Sequence, residues 1–264
     1  SFTMLTGDRP TGRLHLGHYF GSIRERVAMQ ESGVNTNIII ADYQVITDRD
    51  TTEHIEDNVL NLVLDYMAAG IDPNKTMMFT HSAVPAENQL LLPFLSLVTE
   101  AELHRNPTVK SEMEASGHAL TGLLLTYPVH QACDILFCKG NVVPVGKDQE
   151  QHLELTRRFA RRFNQIYGTE FFPESQPYNF GSELVKIPGL DGSGKMGKSE
   201  GNCLYLADTD EAIRKKVMKA VTDAGPTEPD SPLSEPVRNI FTSMEAVSDP
   251  STVAYFREQY ARCA

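Results

Sequence analysis

The chain has 264 residues, of which 41% are hydrophobic and 22% charged, enough for one large or two modest domains. This composition is ordinary for a soluble globular protein, and no apolar run approaches the ~18 residues of a membrane span. A formal net charge of -11 argues against indiscriminate nucleic-acid binding, because phosphate contacts need local positive charge. The four cysteines lack zinc-ligand spacing, so we expect reduced thiols and a cytoplasmic location.

The amino-terminal residues predict a strand, a glycine-rich turn and a helix. Residues 2–5 are apolar, as in a buried strand, and residues 19–30 have apolar side chains at helical spacing. Such a junction presents backbone N–H groups and the positive end of a helix dipole to an anion. His15 and His18 are three residues apart and share one face of the first helical turn. The pattern indicates a phosphate site, or else an ordinary turn whose histidines only cap or pack.

Two further strands follow, each after a helix. Residues 37–41 predict a buried strand that ends at Asp42, with Gln44 just beyond its carboxyl end, where open α/β sheets bind ligands. A helix that closes at Gly70 precedes a third strand at residues 76–80. The resulting β-α-β-α-β order predicts half of a doubly wound, Rossmann-like parallel sheet.

The middle of the chain contains two predicted helices and a second strand-to-helix junction. Residues 87–105 predict one long helix, and residues 120–138 an apolar helix that carries Asp134. A buried carboxylate is costly without a partner, and the pattern alone favours pairing with an internal Arg or a helix end. Residues 141–145 predict a strand that leads through Gly146 into another helix. Four arginines of that helix form either a basic patch or a solvated face: Arg157, Arg158, Arg161 and Arg162.

The last third combines a glycine-rich loop with helices. Residues 168–188 predict irregular connecting structure. Residues 189–202 contain five glycines, which predict a flexible loop whose two lysines swing onto a ligand. Thr209 is the predicted cap of a helix that reaches residue 219, and two more helices are expected at residues 237–247 and 250–264.

Four separated motifs resemble those of class I aminoacyl-tRNA synthetases in their tryptophanyl version. They are TGDRPTGRLHLGH, YPVHQACDIL, VPVGKDQEQHLELTR and KMGKS. The resemblance runs to about residue 223 and implies a Rossmann-like α/β catalytic domain over residues 1–205. Residues 206–264 would then begin a C-terminal α-helical anticodon-binding domain, truncated at residue 264, so that anticodon recognition would be incomplete.

The resemblance also implies a reaction. The enzyme would use ATP with Mg²⁺ to activate L-tryptophan as Trp-AMP, releasing pyrophosphate, and would transfer the amino acid to tRNA(Trp), acting as a homodimer. The catalytic groups would be His15, His18, Lys195 and Lys198, with the histidines at the α-phosphate and the lysines on the leaving pyrophosphate. No carboxylate cluster marks a protein-built metal site.

The binding residues carried over by resemblance form two sets. Those for ATP are Arg9, Pro10, Thr11, Gly17, His18, Gly146, Lys147, Asp148, Ile187, Lys195, Met196, Gly197, Lys198 and Ser199. Those for tryptophan are Asp134, Gln149, Tyr127, Gln131, Gln44, Val143 and Val145, with Asp134 reading the indole N–H.

One departure from the family and three alternatives bear on this interpretation. The loop reads KMGKS where the family usually has KMSKS, so we expect Gly197 to alter loop ordering while activity is retained. The alternatives are a tyrosyl-tRNA synthetase, an HxGH nucleotidyltransferase that makes a dinucleotide cofactor, and a synthetase-like paralogue that binds tryptophan without catalysis.

Overall fold

The computed structural model describes residues 1–47, 52–117, 119–145, 150–178 and 186–263. Five parallel strands form one sheet of order β3-β2-β1-β4-β5. The strands are β1 (Thr3–Asp8), β2 (Asn35–Ile40), β3 (Thr76–Thr80), β4 (Val142–Pro144) and β5 (Gln176–Tyr178). Successive strands add on one side of β1 up to β3 and then on its other side from β4, which makes the β1/β4 border the topological switch point. The predicted doubly wound α/β fold is confirmed.

The described helices range from three to 18 residues in length. They are α1 (Leu16–His18), α2 (Arg24–Glu31), α3 (Ile55–Ala68), α4 (Pro85–Asn88), α5 (Leu91–Leu95), α6 (Glu100–His104), α7 (Pro107–Ser116), α8 (Gly122–Phe137), α9 (Glu150–Tyr167), α10 (Asp210–Met218), α11 (Glu235–Val247) and α12 (Pro250–Ala261). A π-helical turn, Tyr19–Ile23, joins α1 to α2. Among the described residues, no helix is both long enough and apolar enough to span a membrane.

The chain divides into two compact units. Unit 1 contains residues 1–12 and 27–182, and unit 2 contains residues 13–26 and 183–264. The predicted domains, residues 1–205 and 206–264, stay a prediction.

The core of unit 1 lies where α8 and α9 pack. One buried cluster joins the sheet to these helices through Leu5, Ile39, Ile135 and Leu153. A second cluster is aromatic, with the rings of Phe94 and Phe159 stacked at 5.3 Å. Burial of apolar side chains at this density is the main source of stability, and it fixes α8 beneath the sheet's switch point.

Two sequence predictions of secondary structure were wrong. The single helix expected at residues 87–105 is three helices, α4 to α6, because Thr99 starts a new one. The hydroxyl of Thr99 accepts from the backbone N–H of Glu102 (3.3 Å), while the carboxylate of Glu102 accepts from the backbone N–H of Thr99 (2.9 Å). This reciprocal capping box satisfies N–H groups that a continuous helix would have bonded internally.

The second error concerns β5, which lies within the stretch expected to be irregular. Pro177 occupies its centre and cannot donate a ladder hydrogen bond, so the segment lacks the signature of a strand. An edge position tolerates the proline, and β5 pairs on one side only, with β4.

Candidate active site

A cavity of about 360 Å³ lies within unit 1 at the carboxyl ends of β1 and β4. This is the switch point, where doubly wound sheets bind their ligands. The six described residues predicted to contact tryptophan all line it: Asp134, Tyr127, Gln131, Gln44, Val143 and Val145. Arg9, predicted for ATP, lines it as well. The volume suits a ligand the size of an aromatic amino acid.

Sequence reasoning missed nine further residues of the lining. They are Leu5, Thr6, Gly7, Asp8, Ile39, Ala41, Thr47, Ile135 and Pro144. Most end a parallel strand or directly follow one, so the rule that ligands bind at strand carboxyl ends would have identified them. Gly7 has a steric reason as well, because a Cβ at this position would lie 2.4 Å from the side chain and the carbonyl of Ile39.

Helix α8 supplies the polar face of the cavity. Tyr127, Gln131 and Asp134 are spaced at i, i+4 and i+7 and therefore share one side of the helix. Thr121 begins the helix by accepting a hydrogen bond from the backbone N–H of Leu124 (3.1 Å). Gln44 also lines the cavity, and it lies on a 3₁₀ turn, Tyr43–Thr47, that follows β2.

Asp134 is buried against an imidazole rather than the arginine or helix end that its pattern favoured. The Nε2 of His81 lies 2.8 Å from Oδ1 of Asp134. The same nitrogen is 3.8 Å from Oε1 of Glu87, and Nδ1 of His81 is 3.7 Å from Oδ1 of Asp42. His81 and Glu87 are both fully buried. This partner lies 53 residues upstream in the chain, so no local pattern could reveal it.

Burial shifts the pKa values of Asp134, Glu87 and His81 toward the neutral form of each group. It raises the pKa of Asp134 to about 7. Burial, followed by the interaction with Asp134, raises the pKa of Glu87 to about 9. Burial also lowers the pKa of His81, although Glu87 and Asp42 oppose the shift. Near neutral pH, Glu87 and His81 are therefore uncharged and Asp134 is partly ionised, while Asp8 places a second carboxylate in the lining of the cavity.

His130 links the other side of the cavity to the same cluster. Its Nδ1 accepts from the amide of Gln44, and its Nε2 donates to Oδ1 of Asn88 (2.6 Å). His81, His130 and Asp134 bring three metal-ligand atoms within 4.8 Å of one another. Because both nitrogens of His130 already have partners, we interpret the trio as a hydrogen-bonded network that orients Gln44 and Asp134.

The sequence HLGH occupies residues 15–18 in unit 2, and its two histidines form a capping box. The backbone N–H of Gly17 donates to Nδ1 of His15 (3.0 Å), and the backbone N–H of His15 donates to Nδ1 of His18 (3.0 Å). The rings lie 3.8 Å apart. Since each Nδ1 is an acceptor, each neutral ring carries its proton on Nε2 and can donate it to an anion.

The spacing of HLGH has a steric cause at Gly17. A Cβ there would lie 2.8 Å from Cε1 and 2.9 Å from Nδ1 of His15, so only glycine leaves room for the imidazole. Burial, the charge of His18 and those of Lys198 and Lys195 lower the pKa of His15 to about 4. The ring is thus a neutral donor at pH 7, and the loop lysines lie close enough to act on it.

The KMGKS loop is held by Asn202, a residue that sequence analysis did not single out. Its Oδ1 accepts from the backbone N–H of Gly197 (2.9 Å), and its Nδ2 donates to Asp191 (2.9 Å) and to the carbonyl of Lys195 (3.0 Å). A Cβ at Gly189 would lie 2.0 Å from Nδ2 of Asn202, which explains that glycine. The flexibility expected from the five glycines stays a prediction, and the buried amide of Asn202 binds the loop at several points.

A short backbone pairing joins this loop to HLGH within unit 2. The backbone N–H of Leu16 donates to the carbonyl of Leu204 (3.0 Å), and that of Leu206 donates to the carbonyl of Leu14 (3.0 Å). His15 and Tyr205 form an antiparallel bridge between them. Unit 2 thereby brings together motifs that are 180 residues apart in the sequence.

The cavity of unit 1 and the histidine and lysine motifs of unit 2 can be compared with those of known proteins. The whole chain, residues 1–264, matches the family described as class I tRNA synthetases (W and Y). The chain belongs to this family. The predicted family is thus confirmed.

The relatives of this synthetase in sequence and structure include tryptophan enzymes. It is 45% identical over 262 residues to a tryptophan–tRNA ligase of Porphyromonas gingivalis, covering 99% of the chain and 80% of that relative. A tryptophan–tRNA ligase of Clostridium longisporum is 40% identical, with coverage of 98% and 77%. A crystal structure of tryptophanyl-tRNA synthetase from Campylobacter jejuni, complexed with ADP and tryptophan, superposes with a TM-score of 0.86 at 30% identity. That match covers 99% of this chain and 80% of the other.

The structure describes only some of the remaining residues predicted to contact ATP. Gly146, Lys147, Asp148 and the tryptophan residue Gln149 lie outside the described residues. Pro10 is buried and Thr11 is half-buried, and the backbone N–H of Thr11 donates to the carbonyl of Arg9 (2.8 Å).

Two other predicted ATP residues, Ile187 and Met196, pack into the hydrophobic cluster of unit 2, where the backbone N–H of Met196 donates to the carbonyl of Ile187 (3.1 Å). Ser199 and Lys195 are exposed on the loop.

The arginines of α9 form ion pairs and do not constitute an unopposed basic patch. Arg158 and Arg162 both contact Glu102, at 3.2 and 2.7 Å. Arg157 and Arg161 both contact Glu154, at 2.8 and 2.6 Å. The four arginines share three carboxylates, Glu102, Glu154 and Glu174, so this face keeps a net positive charge, and the basic patch and the solvated helix face both stay open.

Proposed function

We infer that the chain is a tryptophan–tRNA ligase that activates L-tryptophan with ATP and transfers it to tRNA(Trp). Family membership and the tryptophan-specific relatives support this directly. The observation that carries the amino-acid specificity is Asp134, a buried carboxylate that lines the cavity at the sheet's switch point. Its carboxylate accepts hydrogen bonds, and an indole supplies a ring N–H donor for it.

The same carboxylate disfavours competing amino acids. Phenylalanine has no donor, so its binding would leave the acceptor sites of Asp134 that His81 does not fill without a hydrogen bond, at a cost of about 1–3 kcal/mol. Tyrosine donates only from the tip of its ring, at a different depth from the indole nitrogen. Sites built to pair with a donor reject analogues that lack it far more strongly than apolar pockets reject a missing methylene.

We propose that unit 2 provides the phosphate chemistry. A carboxylate oxygen of tryptophan attacks the α-phosphorus of ATP, the bond from that phosphorus to the bridging oxygen breaks, and pyrophosphate leaves with its electrons. The tryptophan carboxylate is ionised at pH 7, so the step needs no protein base. Nε2–H groups of His15 and His18 would stabilise charge on the phosphate oxygens, and Lys195 and Lys198 would bind the leaving pyrophosphate.

In the second step, a ribose hydroxyl of the terminal nucleotide of tRNA attacks the carbonyl carbon of the adenylate, and AMP leaves. The site residues proposed here serve the first step, in which the amino acid and ATP are bound and activated. Residues that contact tRNA are not among them.

Mg²⁺ would enter bound to the phosphates of ATP. The donors described around HLGH and the loop are imidazole and ammonium groups, which do not suit this ion, and Asp191 and Asp208 are already engaged with Asn202 and Lys216. We further propose a cytoplasmic homodimer. Exposed apolar side chains on α3 and on the edge strand β3, such as Leu60, Leu64 and Met77, support a subunit contact.

Exchange of labelled pyrophosphate into ATP tests the proposal, with tryptophan, tyrosine and phenylalanine added separately. We expect exchange with tryptophan alone. Exchange that favours tyrosine would reassign the pocket to the phenol. Tryptophan that raises the Tm without supporting exchange would indicate a binding paralogue.

A further inference from the structure

His81 is built into the fold as a support for Asp134. It is fully buried and does not belong to the described lining of the cavity, whereas Asp134 does. Its ring is held on both faces, by Tyr43 at 5.7 Å and by His130 at 4.4 Å between ring centroids. A side chain enclosed in this way has one orientation, and its Nε2 is directed at Oδ1 of Asp134.

The chemistry of the pair fixes which atom donates. Burial keeps the imidazole neutral, so the ring carries one N–H, and an ionised Asp134 can only accept. The proton of His81 therefore lies on Nε2 and is shared with Oδ1. A carboxylate has two oxygens and about four acceptor sites, so this bond leaves acceptor capacity for a ligand. It also restrains rotation of the carboxylate, a torsion that is otherwise broad.

We propose that His81 is a positioning residue that sets the preference for an amino acid with a ring N–H, by holding Asp134 in the orientation that accepts it. This inference rests on the proposed function. Without His81, the carboxylate would rotate and would have to be reordered whenever a ligand binds. The loss would therefore be confined to ligands whose ring N–H uses Asp134.

The neighbouring groups support this arrangement. The carboxyl group of Glu87 lies near Nε2 of His81, the nitrogen that faces Asp134, and adds no second negative charge while it is protonated. The carboxylate of Asp42 lies near the other ring nitrogen, Nδ1. Ser82, the next residue, donates its backbone N–H to Asp42 (3.3 Å) and so anchors the backbone that carries His81. The hydrogen bond at Ser82 limits movement of the backbone that carries the imidazole, whereas Nδ1 of His81 has no hydrogen-bond partner among the described residues.

Two substitutions separate the donor from the bulk of the imidazole. In His81→Gln the amide nitrogen sits the same number of bonds from the backbone as Nε2, so it can still donate to Asp134. In His81→Asn the amide nitrogen corresponds to Nδ1 and falls short. Each variant is assayed by pyrophosphate exchange with tryptophan and with its benzothiophene analogue, which carries sulfur in place of the indole N–H.

We expect the wild type to favour tryptophan over the analogue. In His81→Asn, kcat/KM for tryptophan should fall about tenfold to hundredfold, the range for a lost hydrogen bond to a charged group. The kcat/KM for the analogue and the KM for ATP should each change by less than about threefold. His81→Gln should restore most of the discrimination.

The possible results distinguish a failure of the role of His81 from a failure of the proposed function. Equal losses for tryptophan and analogue in His81→Asn would show a merely structural role and overturn the inference, while leaving the proposed function intact. A wild type that is inactive with tryptophan would overturn the proposed function itself.

If His81→Asn does not fold, the chain's lack of tryptophan offers a second measurement, because all indole fluorescence then comes from the ligand. Fluorescence titration of His81→Gln should give a Kd for tryptophan within about threefold of wild type. A much weaker Kd in this donor-retaining variant would contradict the inference.

Discussion

The glycine of HLGH offers a sharp test of how the histidine pair is built. In Gly17→Ala, the new Cβ would lie 2.8 Å from Cε1 of His15, whereas non-bonded carbons approach to about 3.5 Å at best. The imidazole must therefore move by about 0.7 Å or more, and the bond from the Gly17 N–H to Nδ1 is disrupted. Losing such a cap costs about 1 kcal/mol of stability. Displacing one donor from a transition-state oxyanion costs about a hundredfold to a thousandfold in kcat.

Pyrophosphate exchange and thermal melting together measure both effects, with Gly21→Ala as the matched control. A Cβ at Gly21 meets nothing within 4 Å, in the π-helical turn that follows the same motif. We expect the control to keep kcat within about twofold, whereas Gly17→Ala loses most of its exchange activity and little of its Tm. Full exchange activity in a folded Gly17→Ala enzyme would refute the idea that the geometry of His15 serves catalysis.

Three further predictions follow from the buried acids and the loop. Glu87 is protonated in the fold and ionised when unfolded, so the wild type should lose about 3 °C of Tm per unit between pH 7 and 9. Glu87→Gln should abolish that slope in calorimetry, and an equal slope would contradict the assignment. Because Asp134, which faces His81 and Glu87, must be ionised to accept an N–H, the Kd for tryptophan should rise about tenfold from pH 8 to pH 6. A flat fluorescence titration would refute this. Gly197→Ser should retain exchange activity, since its Cβ would lie 3.5 Å from Glu200, in ordinary contact; a silent variant would show that the loop requires glycine.

Local patterns were sufficient to predict the sheet and the position of the cavity. The β-α-β-α-β order and the polar residues after β2 gave the doubly wound fold and placed Gln44 at the ligand end of the sheet. The apolar run at residues 120–138 predicted the helix that carries Asp134. Each of these inferences depends only on neighbours within a few residues of one another.

Partnerships across long stretches of sequence could not be predicted in this way. His81 supports Asp134 from 53 positions upstream, and nothing in the letters around either residue points to the other. Asn202 binds the loop through one buried amide, and nothing in the glycine-rich sequence indicated which residue would do so. The break at Thr99 was missed for a different reason: helical spacing of apolar residues continues across it, and only the capping box with Glu102 reveals the new start.

The central claim is that Asp134 accepts the indole N–H of tryptophan, and a titration of ligand fluorescence tests it most directly. Because the chain contains no tryptophan, all indole fluorescence comes from the ligand, and its change on binding gives the Kd. We expect Asp134→Asn, which keeps the volume but removes the charge, to fold normally and to raise the Kd for tryptophan about tenfold or more. Its Kd for the benzothiophene analogue should be unchanged or lower. An unchanged Kd for tryptophan in the folded variant would contradict the account.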